Sequence, residues 1–269
     1  MDAWHTLRQF TQARIAQGRA GCGMTTQALL DFQLAHAAAR DAVLAQWNIE
    51  ATEKSLELAG LHCLRLETQA VTRTAYLLNP QLGRELNQGS LERLSVAAVP
   101  MADVALILTN GLSSTAITEH ALGLTLALTA ALTEKGLTVS PICLVPNGRV
   151  ALSDEIGQRL GARVAVIVVG ERPGLSAADS LGLYLTHDPR PGRTDADRNC
   201  LSNIRPPLGL SYQEAAGKLV YLIRKCLSLG YSGVNLKDDM GDENLTAGTT
   251  ETIADLSALE GSKRQLRGS

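Results

Sequence analysis

Residues 170–174 read Gly-Glu-Arg-Pro-Gly and follow the aliphatic run Val166–Val169. The run is a strand buried on both faces, and the pentapeptide puts a carboxylate and a guanidinium between glycines at its end. Glu171 offers acceptor oxygens to a donor-rich ligand, and Arg172 either steadies that carboxylate or faces a partner. Two further loops carry similar chemistry. "PNGRV" (146–150) places Val150 after the apolar stretch "ICLV", and "NGLSS" (110–114) offers hydroxyls and helix N-terminal amides at Ser113 and Ser114. For those serines an ordinary helix cap and an anion cradle are equally compatible with the sequence. None of the loops spells GxGxxG or GxxxxGK[ST], which argues against a standard dinucleotide or ATP site.

Cys200 lies in "DRNCLSNIR" (197–205), read here as a polar surface loop facing a ligand. His187 is the one histidine near it in sequence, but proximity to a bound group fits better than a Cys–His nucleophile. "TEHALG" (118–123) has the His and Gly of the corrinoid-carrier pattern DxHxxG, but Thr118 stands where the aspartate that orients a ligating imidazole belongs. His120 is therefore expected on a helix surface and not on a metal. No nucleophile elbow, metal-ligand cluster or paired-carboxylate site is complete in this chain. A site shared with a partner follows.

These loops need a scaffold. Trp4, Leu7 and Ile15 predict a helix over residues 2–17, and Gly18, Gly21 and Gly23 break it. A second helix starts at Thr25–Thr26, and residues 50–100 are more broken. From residue 103 the pattern becomes strand, turn and helix: "DVALILT", "GLTVSPICLV", "ARVAVIVVG" and "SLGLYLTHDP" are strand candidates. Residues 211–230 form an amphipathic helix stopped by Gly230. The fold class is α/β: a helical N-terminal region (1–100) followed by a Rossmann-like parallel-sheet domain (101–237). The polar tail, 238–269, is expected to lack order.

Composition narrows the function classes. A net charge of −2 and 3% aromatic residues give neither the basic surface nor the stacking platforms of a nucleic-acid binder. No stretch reaches the roughly 18 uninterrupted apolar residues of a membrane span, and the start has no signal-peptide pattern. Five scattered cysteines, with no CxxC, read as reduced thiols in a cytoplasmic protein.

Seven segments then acquire a common meaning. "GRAG" (18–21), "TQALLDFQLAHAAARDAVL" (26–44), "YLLNPQLGREL" (76–86), "TNGLSSTAI" (109–117), "GRVALSDEIGQRLGA" (148–162), "VVGERPGLSAADSLGLYLT" (168–186) and "DRNCLSNIR" (197–205) resemble the small subunit of ethanolamine ammonia-lyase, in that family's order. The resemblance implies an adenosylcobalamin-dependent enzyme that converts ethanolamine to acetaldehyde and ammonia. It implies a large catalytic barrel subunit as partner, in a ring of six large and six small subunits. The small subunit would cover the cobalamin with its Rossmann-like domain, with contacts carried over onto Val150, Glu171 and Cys200. It would supply no catalytic residue and no metal ligand, which agrees with the failed DxHxxG match. Several relatives carry an N-terminal extension associated with a bacterial microcompartment. This chain starts near the matched region, so encapsulation stays open and the cytoplasm is the expected location. Residues 238–269 lie beyond the family's usual end. Two other readings stay open: a nucleotide-binding regulatory Rossmann module, which the missing GxGxxG weighs against, and a purely structural partner subunit.

Overall fold

The computed structural model describes residues 6–96 and 101–240. Its elements run α1 (Thr26–Leu44), α2 (Ile49–Leu58), β1 (Cys63–Arg65), α3 (Arg73–Leu78), α4 (Gln88–Val96), β2 (Val104–Thr109), α5 (Ser114–Glu134), β3 (Ile142–Leu144), α6 (Leu152–Arg159), β4 (Val164–Gly170), β5 (Leu181–His187), β6 (Arg198–Ile204) and α7 (Tyr212–Leu229). The six strands form one sheet in the order β1-β3-β2-β4-β5-β6.

The α/β expectation holds, with one correction. The sheet is mixed: β1, β3, β2 and β4 are parallel, while β4–β5 and β5–β6 are antiparallel. A ten-residue connection between β4 and β5 is too short for the crossover that a parallel pair requires, so the chain must turn back. β1 comes from before residue 100 and pairs with β3 in the register Cys63↔Ile142, Leu64↔Cys143 and Arg65↔Leu144.

The strands are apolar on both faces because helices cover both. Val104, Leu106, Leu108, Val164, Val166 and Val168 pack against α5 and α7. Ala105, Ile107, Cys143, Ala165 and Ile167 pack on the other side with Leu94 of α4 and Leu152 and Ile156 of α6. α5 is long and apolar enough to cross a membrane by length and composition, but Ile117, Leu124, Leu128 and Leu132 are buried against the sheet as in a core helix. One buried ion pair ties the layers together: both Arg198 Nη atoms donate to Asp154, each at 2.7 Å, with side chains 2% and 3% exposed.

Local chemistry explains the helix ends. Thr25 caps α1 by accepting from the Ala28 N–H, as expected from the sequence. Ser211 and Glu214 form a reciprocal capping box at the start of α7, and Gly230 ends it at φ 80°. Three expectations fail. The helix expected over 2–17 stops early: Thr6 and Leu7 are helical and run into a 3₁₀ turn at Arg8–Phe10, after which the chain is non-helical, while residues 1–5 lie outside the described residues. Beyond Phe10, Ile15 is the single large apolar residue before Gly18, too little to anchor further helical turns. "DRNCLSNIR" is not a loop but the edge strand β6, whose inward residues Arg198, Leu201 and Ile204 are buried. His120 is buried, not on the surface. Of the tail, 241–269 lies outside the described residues.

Candidate functional site

The carboxyl ends of β2, β3 and β4 open into a cleft of about 330 Å³, with Tyr184 of β5 in its wall. Ligands of open α/β sheets gather at this edge. A larger open groove of about 550 Å³ lies on the N-terminal segment, lined mostly by exposed residues between Arg8 and Asp31.

The loop after β2 is shaped by close backbone approaches. Gly111 has φ 46°, and a Cβ there would sit 2.3 Å from Val169 Cγ2 and 2.5 Å from the Gly170 carbonyl oxygen. Gly170 is equally constrained, since its Cβ would lie 2.1 Å from the Ser113 carbonyl oxygen. Both must be glycine for the β2 and β4 loops to meet. Ser113 and Ser114 prove to be structural. Ser113 caps α5 by accepting from Ala116 N–H at 3.1 Å and donates to Ala178 O at 2.7 Å, while Ser114 Oγ accepts from Asn110 Nδ2 at 3.0 Å. Both are buried, so the helix-cap reading stands. Arg73 clamps the same loop, donating to the carbonyls of Val43 (2.9 Å), Gly111 (2.6 Å) and Leu112 (3.0 Å).

The loop after β3 is fixed by backbone donors. Asn147 N–H donates to Asn110 Oδ1 at 2.7 Å, Gly148 N–H to Thr109 Oγ1 at 2.9 Å, and Arg149 N–H to Gly83 O at 2.7 Å. The Tyr76 hydroxyl donates to Gly148 O at 3.3 Å. This frame turns Val150 half into the core and half into the cleft wall.

Glu171 sits where β4 ends. Its Oε2 accepts from Ser180 Oγ at 2.5 Å and from Asn203 N–H at 3.2 Å, and its Oε1 accepts from Ser202 Oγ at 2.5 Å. A carboxylate accepts about four hydrogen bonds, so one position, on Oε1, is left over. Arg172 makes no ion pair with it among the described residues; serines and a backbone amide hold the carboxylate instead. Arg172 lines the cleft together with Arg84 and Arg149, and none of the three has an acidic partner among the described ion pairs. Asp195, the other acid in the wall, lies 3.7 Å from Arg198. The cleft is thus electropositive, with a single anchored acceptor.

Cys200 stands directly opposite Tyr184 on β6, one strand beyond the cleft wall. It is free and exposed. Its surroundings on the inner side raise the thiol pKa by desolvation, the Tyr184 hydroxyl opposes this, and the charge of Glu171 adds to it. A thiol pushed this way is a poor nucleophile at neutral pH. Burial also pushes the Tyr184 phenol up, with Cys200 next and then Glu171 contributing. The structure therefore brings Val150 and Glu171 into one cleft and sets Cys200 beside it through Tyr184. Sequence reasoning missed Arg84, Arg149, Tyr76 and Tyr184. "GRV" held a signal for Arg149, whereas Tyr76 and Arg84 reach the cleft only through the fold.

Comparison with known proteins decides the family. The family described as ethanolamine ammonia-lyase light chain matches residues 1–237. A Ralstonia nicotianae protein named ethanolamine ammonia-lyase small subunit is 46% identical over 257 residues, covering 94% of this chain and 95% of its own. Proteins of the same name from Azotobacter vinelandii (49% identical; 88% and 89% covered) and Pseudomonas putida (47%; 88% of each) are similar along the same length. The chain belongs to the ethanolamine ammonia-lyase light-chain family. It is a subunit of an ammonia-lyase, and a small subunit implies a large one. The match to the ethanolamine ammonia-lyase light chain includes every cleft residue named above and ends one residue before the polar tail.

Proposed function

We propose that this chain is the small subunit of an adenosylcobalamin-dependent ethanolamine ammonia-lyase and that its cleft covers part of the cobalamin at the boundary with the large subunit. The observation that carries the reading is the pairing of one anchored acceptor, Glu171 Oε1, with three arginines that lack acidic partners among the described residues. Cobalamin presents amide donors on its corrin arms and one phosphodiester. The arginines complement the phosphodiester and the carboxylate takes an amide. The cleft is too small to enclose a corrinoid, so it acts as a cover that a second subunit completes.

When bound, the cofactor supplies the radical chemistry. This chain's residues do other work. Val150 gives an apolar contact, Glu171 orients an amide arm, and Cys200 with Tyr184 keeps water from the edge of the site. On this reading none of them exchanges a proton with substrate. The large subunit carries the substrate pocket, and six large and six small subunits assemble. Leu29, Leu30, Phe32 and Leu34 on α1 remain exposed, a patch suited to a partner protein. The complex works in the cytoplasm and takes neither nucleic acid nor a membrane as partner.

A purely structural role draws on a specific fact: Glu171 already has three donors from its own chain. Co-expression separates the two readings. The large subunit with this chain should retain cobalamin and release ammonia from ethanolamine, and the large subunit alone should do neither. Full activity and cobalamin retention by the large subunit alone would leave this chain no part in the cofactor site.

A further inference from the structure

A second side-chain cluster lies outside the cleft. His120 of α5, its neighbour Glu119 and Asp179 of the β4–β5 loop bring their ligating atoms within 4.8 Å of one another. His120 is 7% exposed, and its Nε2 is buried without a hydrogen-bond partner among the described residues. An orphaned buried imidazole nitrogen is costly unless something binds it. Nε2 lies 3.5 Å from Asp179 Oδ2 and 4.0 Å from Glu119 Oε2. A hydrogen bond would draw nitrogen and oxygen to roughly 2.7–3.2 Å. Two ligands on a tetrahedral ion with bonds of about 2.0–2.1 Å stand about 3.3 Å apart. The 3.5 Å spacing to Asp179 is close to that value, and Glu119, on an exposed side chain, has to move inward from 4.0 Å to complete the set.

The surroundings agree. His120 Nδ1 is 2.8 Å from the Tyr212 hydroxyl. With Nδ1–H donating to that oxygen, the Nε2 lone pair faces the two carboxylates, as in histidines that ligate metals. The other oxygen of Asp179 lies 3.0 Å from Arg205 Nε, so the carboxylate is itself held in place. Two carboxylates against one guanidinium leave the cluster negative. The side chains of Glu119 and Asp179 are 53% and 27% exposed, so the carboxylate side of the cluster is open to solvent.

We infer that Glu119, His120 and Asp179 bind one divalent first-row metal ion, with Zn²⁺ the best match to an imidazole–carboxylate set with an open fourth position. The ion would clip the segment between β4 and β5, which begins with Glu171, to α5. That segment is already tethered by Ser113 Oγ to Ala178 O (2.7 Å) and by Arg205 Nη1 to Ser176 O (2.9 Å), and the ion adds a further fixing point. The site stands whether or not the cleft takes cobalamin.

The test titrates the chelator-treated full chain with Zn²⁺ alone, read by calorimetry, and with Co²⁺ alone, read by its visible absorption. One equivalent should bind, with the absorption of a tetrahedral site, and Asp179→Asn and His120→Gln should abolish it. Because His120 lies in the core, two gentler variants accompany them. Glu119→Gln alters an exposed side chain, and Tyr212→Phe keeps the ring but removes the hydroxyl that faces Nδ1. Tyr212→Phe should weaken binding about 10- to 100-fold, the usual effect of losing a partner of a ligating histidine. Absence of stoichiometric uptake by the parent chain would overturn the inference and leave a plain His120–Asp179 pair. Equal uptake by folded Asp179→Asn and Glu119→Gln chains would overturn it too.

Discussion

Replacing Glu171 by alanine separates what that carboxylate does for the chain from what it does for a ligand. The substitution strands three donors. Ser202 and Asn203 are exposed and can turn to water, whereas Ser180 is buried and loses its acceptor outright. One buried hydroxyl left unpaired costs about 1–3 kcal/mol. In a chain of this size that corresponds to a melting temperature lower by roughly 2–12 °C. The variant should therefore stay folded and still associate with the large subunit. Its cobalamin affinity should fall by about one charge-assisted hydrogen bond, roughly 1.5–3 kcal/mol, or about 10- to 150-fold. Differential scanning calorimetry gives the first quantity, and equilibrium dialysis of cobalamin against the paired subunits gives the second. A lower melting temperature with unchanged cobalamin affinity would refute the ligand role and leave Glu171 as a structural staple for Ser180, Ser202 and Asn203.

Other outcomes follow from the same geometry. Asp154→Asn leaves the Arg198 guanidinium buried with half its partner gone, and should cost about 3–5 kcal/mol by chemical denaturation; a cost below 1 kcal/mol would show that the pair is not holding α6 to β6. The pKa of His187 is lowered by burial first, with Arg193 and Arg163 adding and Asp188 opposing. The unfolded chain then binds the proton more readily, so stability should fall as pH drops from the ordinary imidazole value of about 6.5 through the lowered folded value. His187→Gln should flatten that slope, and an unchanged slope would assign it to other groups. Site-resolved alkylation of Cys200 should show a midpoint above the ordinary thiol value of about 8.5, because desolvation and the Glu171 charge disfavour the thiolate. Glu171→Gln should move the midpoint down, whereas a parent midpoint below the ordinary value would mark an activated nucleophile.

The sequence carried the central elements where local and long-range signals coincide. Val164–Gly170 is apolar throughout because both faces of β4 are covered, and α7 announces itself through Ser211, Glu214 and Gly230. β6 was hidden because an edge strand with one solvated face shows Arg198, Asn199, Ser202 and Asn203 among its residues, a composition that reads as loop. β1 is three residues long, too short for any periodicity, and only β3 makes it a strand. His120 looked solvent-facing because the polar Thr118 and Glu119 flank it. Its burial depends on Tyr212, 92 residues later in the chain. The same limit applies to the cleft. The loops with Val150 and Glu171 were legible as strand ends, whereas Tyr76, Arg84 and Tyr184 belong to it only through packing.

The most direct test of the cobalamin reading is a structure of the two subunits together with bound cobalamin. The corrin and its side arms should lie against the cleft at the ends of β2, β3 and β4, with Val150, Glu171 and Cys200 within contact distance and the phosphodiester facing Arg84, Arg149 or Arg172. A cobalamin enclosed by the large subunit, with the cleft filled by solvent or by protein, would contradict it.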